Sequence, residues 1–332
     1  MDEGDRRRGR EDRVGRLRAA AGLLALCAAV AAGAQGYPAR PVIFVSPFPP
    51  GGGNDLIART VATPLQKYLG QNVIVENRPG AETVVAMSGV ARAAPDGYTV
   101  ILTSSTFAIN ATLNPKLPYT QKDFEPVSLI GSTPYIITAT ADSPLKNATD
   151  LVAQARAKPG QVFAGSASLA SRLAIELLNY QAQVQVTHVP YKGAGLAVTD
   201  LIGGRVNVIF GTPPTVLQYI RSGKLKGIAI TSLQRSPSWP DQATVVETLK
   251  LPGFEAATWY GVVAPARTPA DILRRLSADL NKAVEDPQAR ERLTTQGIDV
   301  APGTPEQFRA YIASETDKWA KVIRFANVKP EE

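Results

Sequence analysis

Short β-rich runs alternate with helical runs along most of this chain, and that alternation restricts the folds open to it. Val42–Ser46 is predicted to be a buried strand, and an amphipathic segment with apolar residues at every fourth position follows it. The same order recurs as far as a strand at 225–231, and three helices, each introduced by a proline, complete the chain. Such alternation predicts parallel-rich sheets joined by right-handed crossovers. A length of 332 residues is enough for two domains with full cores.

The first 34 residues are predicted to be a secretory signal peptide that does not belong to the fold. Residues 6–18 are rich in arginine, residues 19–32 are apolar, and Ala32-Gly33-Ala34 offers a small-x-small cleavage site. The apolar run is shorter than the roughly 20 residues that a membrane span needs, and a single-pass anchor is the alternative. A lipoprotein signal would need a small residue before Cys27, where the sequence has Leu26.

Composition narrows the function of the remaining chain. Cys27 is the single cysteine, so cleavage would leave no disulfide, thiol nucleophile or cysteine metal ligand. When the seven arginines and five acidic residues of the first 34 positions are set aside, 29 basic and 24 acidic residues remain, a balance of +5. The basic residues are scattered, which gives nucleic-acid binding no support. A modest positive balance suits small anions.

A glycine-rich turn at residues 47–55 connects the first strand to the first helix. A helix start leaves backbone N–H groups unpaired, and the helix dipole favours an anion beside them. Glycines let the backbone approach a ligand because no Cβ intervenes. Asn54 is predicted to be the N-cap of the helix, and Pro64 predicts a kink or a break near Thr63. A simple tight turn is the alternative that this stretch alone leaves open.

Two further predicted strands end in small polar residues. Ser104 and Ser105 follow the strand at 99–103, and Gly165-Ser166-Ala167-Ser168 forms a predicted loop after the strand at 161–164. Ligands of open α/β sheets bind at the carboxyl ends of the strands. For Ser104, a serine turn that caps the next helix is the alternative.

Motifs for nucleotide binding and nucleophilic catalysis are missing from the sequence. Gly51 and Gly53 fit the start of G-x-G-x-x-G, but Leu56 stands at the third glycine. Neither a Walker-type loop nor a G-x-S-x-G elbow occurs, and the S-x-x-K match at 143–146 lacks its companion motifs. His188, the single histidine, is interpreted as a packed or hydrogen-bonded strand residue, and the usual zinc ligand sets are excluded. This pattern favours a binding protein over an enzyme.

Six motifs stand in a fixed order along the chain. They are Pro47-Phe48-Pro49-Pro50-Gly51-Gly52-Gly53-Asn54-Asp55, Glu76-Asn77-Arg78-Pro79-Gly80-Ala81, Ala94-Pro95-Asp96-Gly97-Tyr98-Thr99, Asp123-Phe124-Glu125-Pro126-Val127, His188-Val189-Pro190-Tyr191-Lys192-Gly193 and Asp200-Leu201-Ile202-Gly203-Gly204. Together they closely resemble the extracytoplasmic solute receptors of the tripartite tricarboxylate transporter family, the Bug proteins. The resemblance extends from about Tyr37 to Phe325.

The resemblance implies an α/β fold with the two lobes of a periplasmic binding protein, type II-like. Each lobe would be a mixed, mostly parallel sheet flanked by helices, and two crossing segments would form the hinge. We expect lobe 1 at residues 37–137 and 232–332 and lobe 2 at 138–231, after a signal peptide at 1–34.

The resemblance also implies two pincer loops that hold a carboxylate through backbone amides, hydroxyls and bridging waters. The residues expected to contact the ligand are Phe48, Gly52, Gly53, Asn54, Asp55, Ser104, Ser105, Ser166, Ser168, Tyr191 and Thr212. The second pincer is shorter than is usual in the family, and it has Arg172 where members often have histidine. Arg172 is therefore either a contact to a second carboxylate or a solvated helix residue.

The expected function is capture of a small mono- or dicarboxylate in the periplasm and its delivery to membrane transporter subunits or to a sensor. We expect a monomer that needs no cofactor or metal and binds no nucleic acid. Two alternatives stay open at this point: a secreted hydrolase or transferase on the same two-lobed scaffold, and a surface-associated protein without a ligand. The missing general base counts against the first alternative.

Overall fold

The computed structural model describes residues 36–51, 53–81, 83–191, 193–237 and 239–329, so the predicted signal peptide lies outside the described part. The strands there are β1 (Val42–Ser46), β2 (Val73–Asn77), β3 (Thr99–Ser104), β4 (Phe124–Pro134), β5 (Ile136–Thr140), β6 (Val162–Ser166), β7 (Val186–Pro190), β8 (Val208–Gly211), β9 (Leu225–Ile230), β10 (Ala257–Pro265) and β11 (Asp299–Val300). The α-helices are α1 (Gly53–Leu69), α2 (Val84–Ala91), α3 (Ser105–Leu113), α4 (Ala148–Ala157), α5 (Leu169–Ala182), α6 (Ala194–Ile202), α7 (Pro213–Arg221), α8 (Val245–Leu249), α9 (Ala270–Glu285), α10 (Pro287–Thr295) and α11 (Pro305–Ala326).

The strands form two sheets with the same internal plan. The first sheet has the order β11-β4-β10-β3-β1-β2, and the second has the order β7-β6-β8-β5-β9. In each, one strand pairs in parallel with the two strands that follow it in the chain, β1 with β2 and β3 and β6 with β7 and β8. β10 and β5 run antiparallel to both of their neighbours. The strand that precedes each of these two in the chain belongs to the other sheet: β4 precedes β5, and β9 precedes β10.

The prediction of two mixed sheets flanked by helices is confirmed. The parallel share is smaller than the sequence indicated, since antiparallel pairings are slightly more numerous among the described strands. The reason is the exchange of strands between the sheets. A strand that arrives from the other sheet can enter against the direction of its neighbours, whereas parallel pairing within one sheet needs a long crossover connection.

Two crossings connect the sheets, and Thr231 ties them together. The first crossing passes through Tyr135, and the second runs from Thr231 to Ala256. The buried Thr231 hydroxyl accepts a hydrogen bond from the Tyr135 amide at 2.8 Å and donates one to the Ala256 carbonyl at 2.5 Å. The Thr231 amide also donates to the Tyr135 carbonyl, and the Ala256 amide donates to the Thr231 carbonyl. The predicted lobe boundary between residues 137 and 138 lies inside β5, just past this crossing.

α1 is continuous through Pro64, so a break near Thr63 does not occur. A proline inside a helix costs about 3 kcal/mol because it removes one backbone hydrogen bond and crowds the preceding turn. Ile57, Val61 and Leu65 lie on the buried face of the same helix. Burial of each such side chain contributes roughly 1.5–3 kcal/mol, which exceeds the proline penalty when the three are taken together.

A continuous apolar core connects the two sheets. Val45 and Val263 of the first sheet belong to the same buried cluster as Ile137 and Phe210 of the second. Outside that core, the end of α11 rests on α5, where the Tyr180 and Phe325 rings lie 5.0 Å apart. The lobes therefore share packing as well as two crossings. None of the described helices is both long enough and apolar enough to cross a membrane.

Candidate ligand-binding site

The carboxyl ends of strands from both sheets are directed toward the crossings. In the first sheet β3 ends at Ser104, which lies opposite Tyr260 near the start of β10. In the second sheet β8 ends at Gly211, opposite Ile136, the residue that follows Tyr135. Polar residues at these strand ends therefore lie around the region between the sheets. In open α/β sheets this is the edge where ligands bind.

Asp55 holds the first pincer loop in shape. Its buried carboxylate accepts hydrogen bonds from the Gly51 amide at 2.9 Å, from Arg59 Nε at 2.9 Å and from Asn77 Nδ2 at 2.7 Å. Asn77 Nδ2 also donates to the Phe48 carbonyl at 2.9 Å, so the last residue of β2 holds the loop through two hydrogen bonds. Burial alone would raise the pKa of the Asp55 carboxyl, but its three donors outweigh burial and lower the pKa below the ordinary value.

This arrangement changes the role expected of Asp55. Its two oxygens already accept from loop and neighbouring donors, and a buried negative charge repels a carboxylate ligand. The Asp55 side chain therefore positions the loop, and its carboxylate offers no donor to a ligand. Asn77, which sequence reasoning did not assign to the site, belongs to the same support. Its motif, residues 76–81, was the available signal.

The N-terminus of α1 is the part of this loop that can offer donors. α1 begins at Gly53, so Asn54 lies in the first helical turn and is not the N-cap that the sequence predicted. First-turn amides have no intrahelical partner and point toward an anion at the helix start. Phe48 is half-buried beside them, and Gly52 lies outside the described residues.

Ser104 and Ser105 do not form the predicted loop. Ser104 ends β3 and is the N-cap of α3, while Ser105 is the first residue of that helix. Both are buried, and the Ser104 side chain makes no capping hydrogen bond. Their hydroxyls have no hydrogen-bond partner among the described groups, which leaves them available as neutral donors at the end of β3.

Two further hydroxyls near strand ends were missed by the sequence analysis. Ser46 Oγ at the end of β1 and Thr133 Oγ1 near the end of β4 are buried, and neither has a hydrogen-bond partner among the described residues. Buried polar atoms in folded proteins are nearly always paired, so an orphan near a cleft is informative. Only the position of Ser46 directly before the glycine-rich turn could have indicated it.

The second pincer is more ordered than the predicted loop at 165–168. Gly165 and Ser166 belong to β6, and Ser166 Oγ lies 2.8 Å from His188 Nε2. Ser168 is the N-cap of α5, where its Oγ accepts a hydrogen bond from the Ser171 amide at 3.2 Å. The interpretation of His188 as a hydrogen-bonded strand residue is confirmed. Ser168 is already engaged in capping, unlike Ser104.

Tyr191 and Thr212 occupy the ends of β7 and β8. The Tyr191 hydroxyl donates to Asp200 Oδ2 at 2.9 Å, so its phenol is engaged within the second lobe. Its ring covers Gly165, where an added Cβ would come within 3.0 Å of the ring. Thr212 is half-buried, and its hydroxyl lies 3.1 Å from Thr215 Oγ1.

Tyr135 connects the two sheets at the crossing and was not predicted as a site residue. Its hydroxyl lies 2.8 Å from Thr258 Oγ1 of the first sheet. Burial raises the pKa of the Tyr135 phenol to about 12, and hydrogen bonding with Thr258 and Ser168 opposes that rise. The phenol thus stands between β10 of one lobe and the start of α5 of the other.

Arg172 differs from the other polar residues of this region because it carries a charge. Its side chain is half-buried, and its Nε is buried without a hydrogen-bond partner among the described residues. Burial lowers the pKa of His188 to about 4, and the Arg172 charge contributes to the decrease. His188 is therefore neutral at pH 7, and Arg172 is not the fully solvated helix residue that was one of the two alternatives.

The described residues contain no group of three histidine, cysteine or acidic side chains that could hold a metal ion. A surface cavity of about 340 Å³ lies beside the start of β4. It is lined by Phe107, Gln121, Lys122, Phe124, Glu125, Pro126, Val263, Arg309, Ile312 and Ala313. None of the predicted contact residues is among them.

Comparison with known proteins identifies the family. The profile of TctC, described as "Tripartite tricarboxylate transporter family receptor", matches residues 57–328. The chain belongs to this family of receptors. The family prediction is thereby confirmed over most of the sequence.

Individual family members agree along nearly their whole length. BugT of Bordetella pertussis is 39% identical over 321 residues, which cover 95% of this chain and 98% of BugT. The structure of R. palustris Rpa4515 with adipate has a TM-score of 0.73 at 30% identity and covers 89% of this chain and 100% of that one. MatC from Rhodopseudomonas palustris with bound malate has a TM-score of 0.68 at 31% identity, covering 86% and 100%.

Membership in a receptor family confirms that the chain is not an enzyme, and the hydrolase alternative is excluded. The hydrogen bond between Ser166 and His188 is therefore a contact within a binding protein. No carboxylate of the described residues bonds to His188, so the pair also lacks the third group that orients a catalytic histidine. The TctC profile begins at residue 57, after the first pincer loop, whereas the alignment with BugT is long enough to include that loop.

Proposed function

We propose that this receptor holds a small organic carboxylate between its two lobes and delivers it to membrane subunits of a tripartite tricarboxylate transporter. The proposal goes beyond family membership, because it assigns a ligand class, a site and a partner to this chain. It takes the lobes to be residues 37–137 with 232–332 and residues 138–231.

One observation carries the proposal. Neutral donors lie at the carboxyl ends of strands that meet the crossing, and Asp55 keeps the glycine-rich loop in place beside them. The amides at the start of α1 and the hydroxyls of Ser104 and Ser105 suit a carboxylate, which accepts several hydrogen bonds. These donors stabilise a carboxylate without a fixed counter-ion beside it.

The two lobes would contribute different kinds of atoms to the ligand. The first lobe would contribute backbone amides near Gly52 and Gly53, the ring of Phe48 and the side chain of Asn54, together with the two serines. Asp55 would act through the loop. In the second lobe Ser166, Ser168, Tyr191 and Thr212 would line the cleft, with hydroxyls that are already partly engaged.

The solved relatives support this ligand class. Rpa4515 was solved with adipate and MatC with malate, and both align with this chain over more than 85% of its length. Both ligands are dicarboxylates. A similar small organic acid is therefore the natural candidate for this receptor.

Location and assembly follow from the same proposal. The signal peptide at 1–34 would direct the chain to the periplasm, where a monomer would close on its solute and then meet the transporter. Lobe closure would occur at the two crossings that Thr231 holds together.

A thermal-shift screen of aliphatic and aromatic carboxylates, followed by calorimetry on each hit, tests the proposal. A binding acid should raise the melting temperature in a saturable way, with no turnover. Mass spectrometry of small molecules that remain bound after native purification would name the solute directly.

The matched variants are Ser104→Ala with Ser105→Ala, compared with Ser222→Ala at the exposed end of α7. Loss of two hydroxyl contacts to a charged group should weaken binding by about 10-fold or more. The control should bind as the unaltered protein does. A screen in which no carboxylate stabilises the protein would refute the proposed function.

A further inference from the structure

The second lobe contains a positive charge whose surroundings do not explain it. Arg172 lies in the first turn of α5, the helix that Ser168 caps at the carboxyl end of β6. Arg172 Nε is buried, and no described group accepts a hydrogen bond from it. A buried guanidinium donor without an acceptor is costly, because it has given up water and gained nothing in return.

The nearest ionisable neighbours do not neutralise this charge. Glu176, one turn further along α5, forms no ion pair with Arg172 among the described contacts; its carboxylate accepts from Asn179 Nδ2 at 3.2 Å. Burial raises the pKa of the Glu176 carboxyl, and the Asn179 hydrogen bond and the Arg172 charge offset that only in part. His188 is neutral at pH 7, as its lowered pKa indicates.

The fold places Arg172 toward the same region as the donors of the first lobe. α5 packs against α3, the helix that begins at Ser105. The start of α5 also lies near the crossing, because Ser168 is close enough to the Tyr135 phenol to oppose the rise in its pKa, and the Tyr135 hydroxyl lies 2.8 Å from Thr258 Oγ1. Arg172 thus lies in the helical turn that follows the carboxyl end of β6, near the crossing that the two lobes share.

From these observations we infer that Arg172 binds the second carboxylate of a dicarboxylate ligand whose first carboxylate lies at the start of α1 and at Ser104 and Ser105. The inference rests on the proposed function and adds the residue that sets ligand class. A guanidinium matches a carboxylate in a bidentate geometry, and the positive end of the α5 dipole acts in the same direction. The Ser166 and His188 pair supplies neutral polar groups beside it.

The division of work between the lobes follows from this assignment. The neutral donors of the first lobe bind any carboxylate, and Arg172 favours acids that carry a second carboxylate. Chain length matters too, because the two carboxylates must reach both lobes at once. A receptor of this kind prefers a dicarboxylate to the monocarboxylate of equal length.

Calorimetry with two matched ligand series tests the inference. The series are the linear dicarboxylates from succinate to suberate and the monocarboxylates from butyrate to octanoate. The proteins are the unaltered receptor, Arg172→Gln, Arg172→Lys and the control Arg221→Gln, which changes an exposed arginine of α7. Circular dichroism and the melting temperature without ligand establish that each variant is folded.

The unaltered protein should prefer a dicarboxylate over its monocarboxylate counterpart. Arg172→Gln should weaken dicarboxylate binding by about 10- to 100-fold and monocarboxylate binding by less than about 3-fold, as expected when one charged contact is removed. Arg172→Lys should keep part of the preference, because the charge remains while the bidentate geometry is lost. Arg221→Gln should change neither series.

A purely structural role for Arg172 predicts different results. Equal weakening of both series by Arg172→Gln, or a dicarboxylate affinity within about 3-fold of the unaltered protein, would overturn the assignment while leaving the proposed function in place. Binding of monocarboxylates alone by the unaltered protein would do the same. If the unaltered protein binds neither series, the proposed function fails and the assignment with it.

Glu176→Gln provides a second, independent measurement. If Arg172 is a ligand contact, removal of the competing carboxylate should leave dicarboxylate binding unchanged or tighten it. If Arg172 and Glu176 serve each other instead, this variant should lose stability and change both ligand series together, which contradicts the inference.

Discussion

The two pincer regions differ in which side-chain groups are hydrogen-bonded within the protein and which are left for a ligand. In the first, the charged residue is satisfied internally: the Asp55 carboxylate takes three hydrogen bonds and holds the loop, while the groups left over are neutral donors. In the second, the hydroxyls of Ser166 and Ser168 are engaged with His188 and Ser171, and the group left over is a guanidinium. Under the proposed function, the first region would supply general affinity for an acid and the second would select among acids.

The largest expected loss of stability comes from a substitution at Asp55 in the first region. Asp55→Asn places an amide N–H₂ where an acceptor is needed, so at least one of the donors from Gly51, Arg59 and Asn77 loses its partner. A buried donor left unpaired costs about 1–3 kcal/mol, and we expect a loss near 3 kcal/mol in the free energy of unfolding. Urea denaturation measures the loss, and carboxylate affinity should fall with it.

Asp241→Asn is the control for this change, since Asp241 is exposed and makes no hydrogen bond within the described chain. Its effect on unfolding should stay within about 0.5 kcal/mol. Equal effects of the two variants would remove the basis for treating Asp55 as the support of the loop.

A smaller effect is expected at the crossing that keeps the two regions facing each other. Thr231→Val leaves the Tyr135 amide without its side-chain acceptor and the Ala256 carbonyl without its hydroxyl donor. We expect a loss of about 2 kcal/mol in the free energy of unfolding. Thr138→Val, in the adjoining strand, removes a hydroxyl that bonds only to the nearby Ile136 carbonyl, and it should cost less. If both variants are equally stable, Thr231 does not fasten the crossings.

The two regions should also differ in their response to pH. The pKa of His188 falls from 6.5 to about 4 on folding, so the unfolded chain takes up a proton in that interval while the folded chain does not. The contribution of neutral His188 to the free energy of unfolding is fully present above pH 6.5 and is lost as the pH falls toward 4. The pKa of Asp55 is lowered as well, and its contribution is lost only as the pH falls below its ordinary value of 3.8.

His188→Gln should therefore remove about 1–2 kcal/mol of pH dependence between pH 7 and 5, measured by urea denaturation at several pH values. His188 is the sole histidine, so no other imidazole contributes to that interval. Asp55→Asn should leave this interval unchanged. An unaltered slope in His188→Gln would show that the second region does not hold its histidine neutral.

The smallest expected effect separates capping from ligand contact. Ser168→Ala should cost about 1 kcal/mol, the usual loss when an N-cap hydroxyl is removed. Thr304→Ala removes the corresponding cap of α11, far from the crossings, and should cost a similar amount. If Ser168 also contacts the ligand, only Ser168→Ala should weaken dicarboxylate binding in calorimetry. Equal affinities would limit Ser168 to its capping role.

Local patterns in the sequence were sufficient for the elements but not for the contacts between them. The apolar run of β1 and the four-residue repeat of Ile57, Val61 and Leu65 are local, so both elements were predicted correctly. The support of the first loop by Asn77 depends on the pairing of β2 beside β1, which no local pattern encodes. The buried Nε of Arg172 likewise results from the packing of α5, whereas its position in the sequence favoured a solvated helix residue.

Motif order identified the family where local patterns were silent. The loop predicted at 165–168 is shorter in the structure, because strand β6 extends through Ser166 and α5 starts after Ser168. Side-chain orientation and hydrogen bonding follow from the packed fold. Ser104 and Ser168 therefore appear equivalent in the sequence, although only the Ser168 side chain accepts a capping hydrogen bond.

The contact between α11 and α5 has a mechanical consequence. Rotation of the lobes about the crossings would separate the Phe325 and Tyr180 rings, an aromatic pair of the kind that contributes about 0.5–1.5 kcal/mol. Both rings are exposed, so the pair would act as a latch on the outer surface of the two helices. The apparent affinity for a ligand depends on how much of the protein is in the lobe arrangement that binds it. Substitutions on the outer surface of α11 would therefore change solute affinity without contacting the solute.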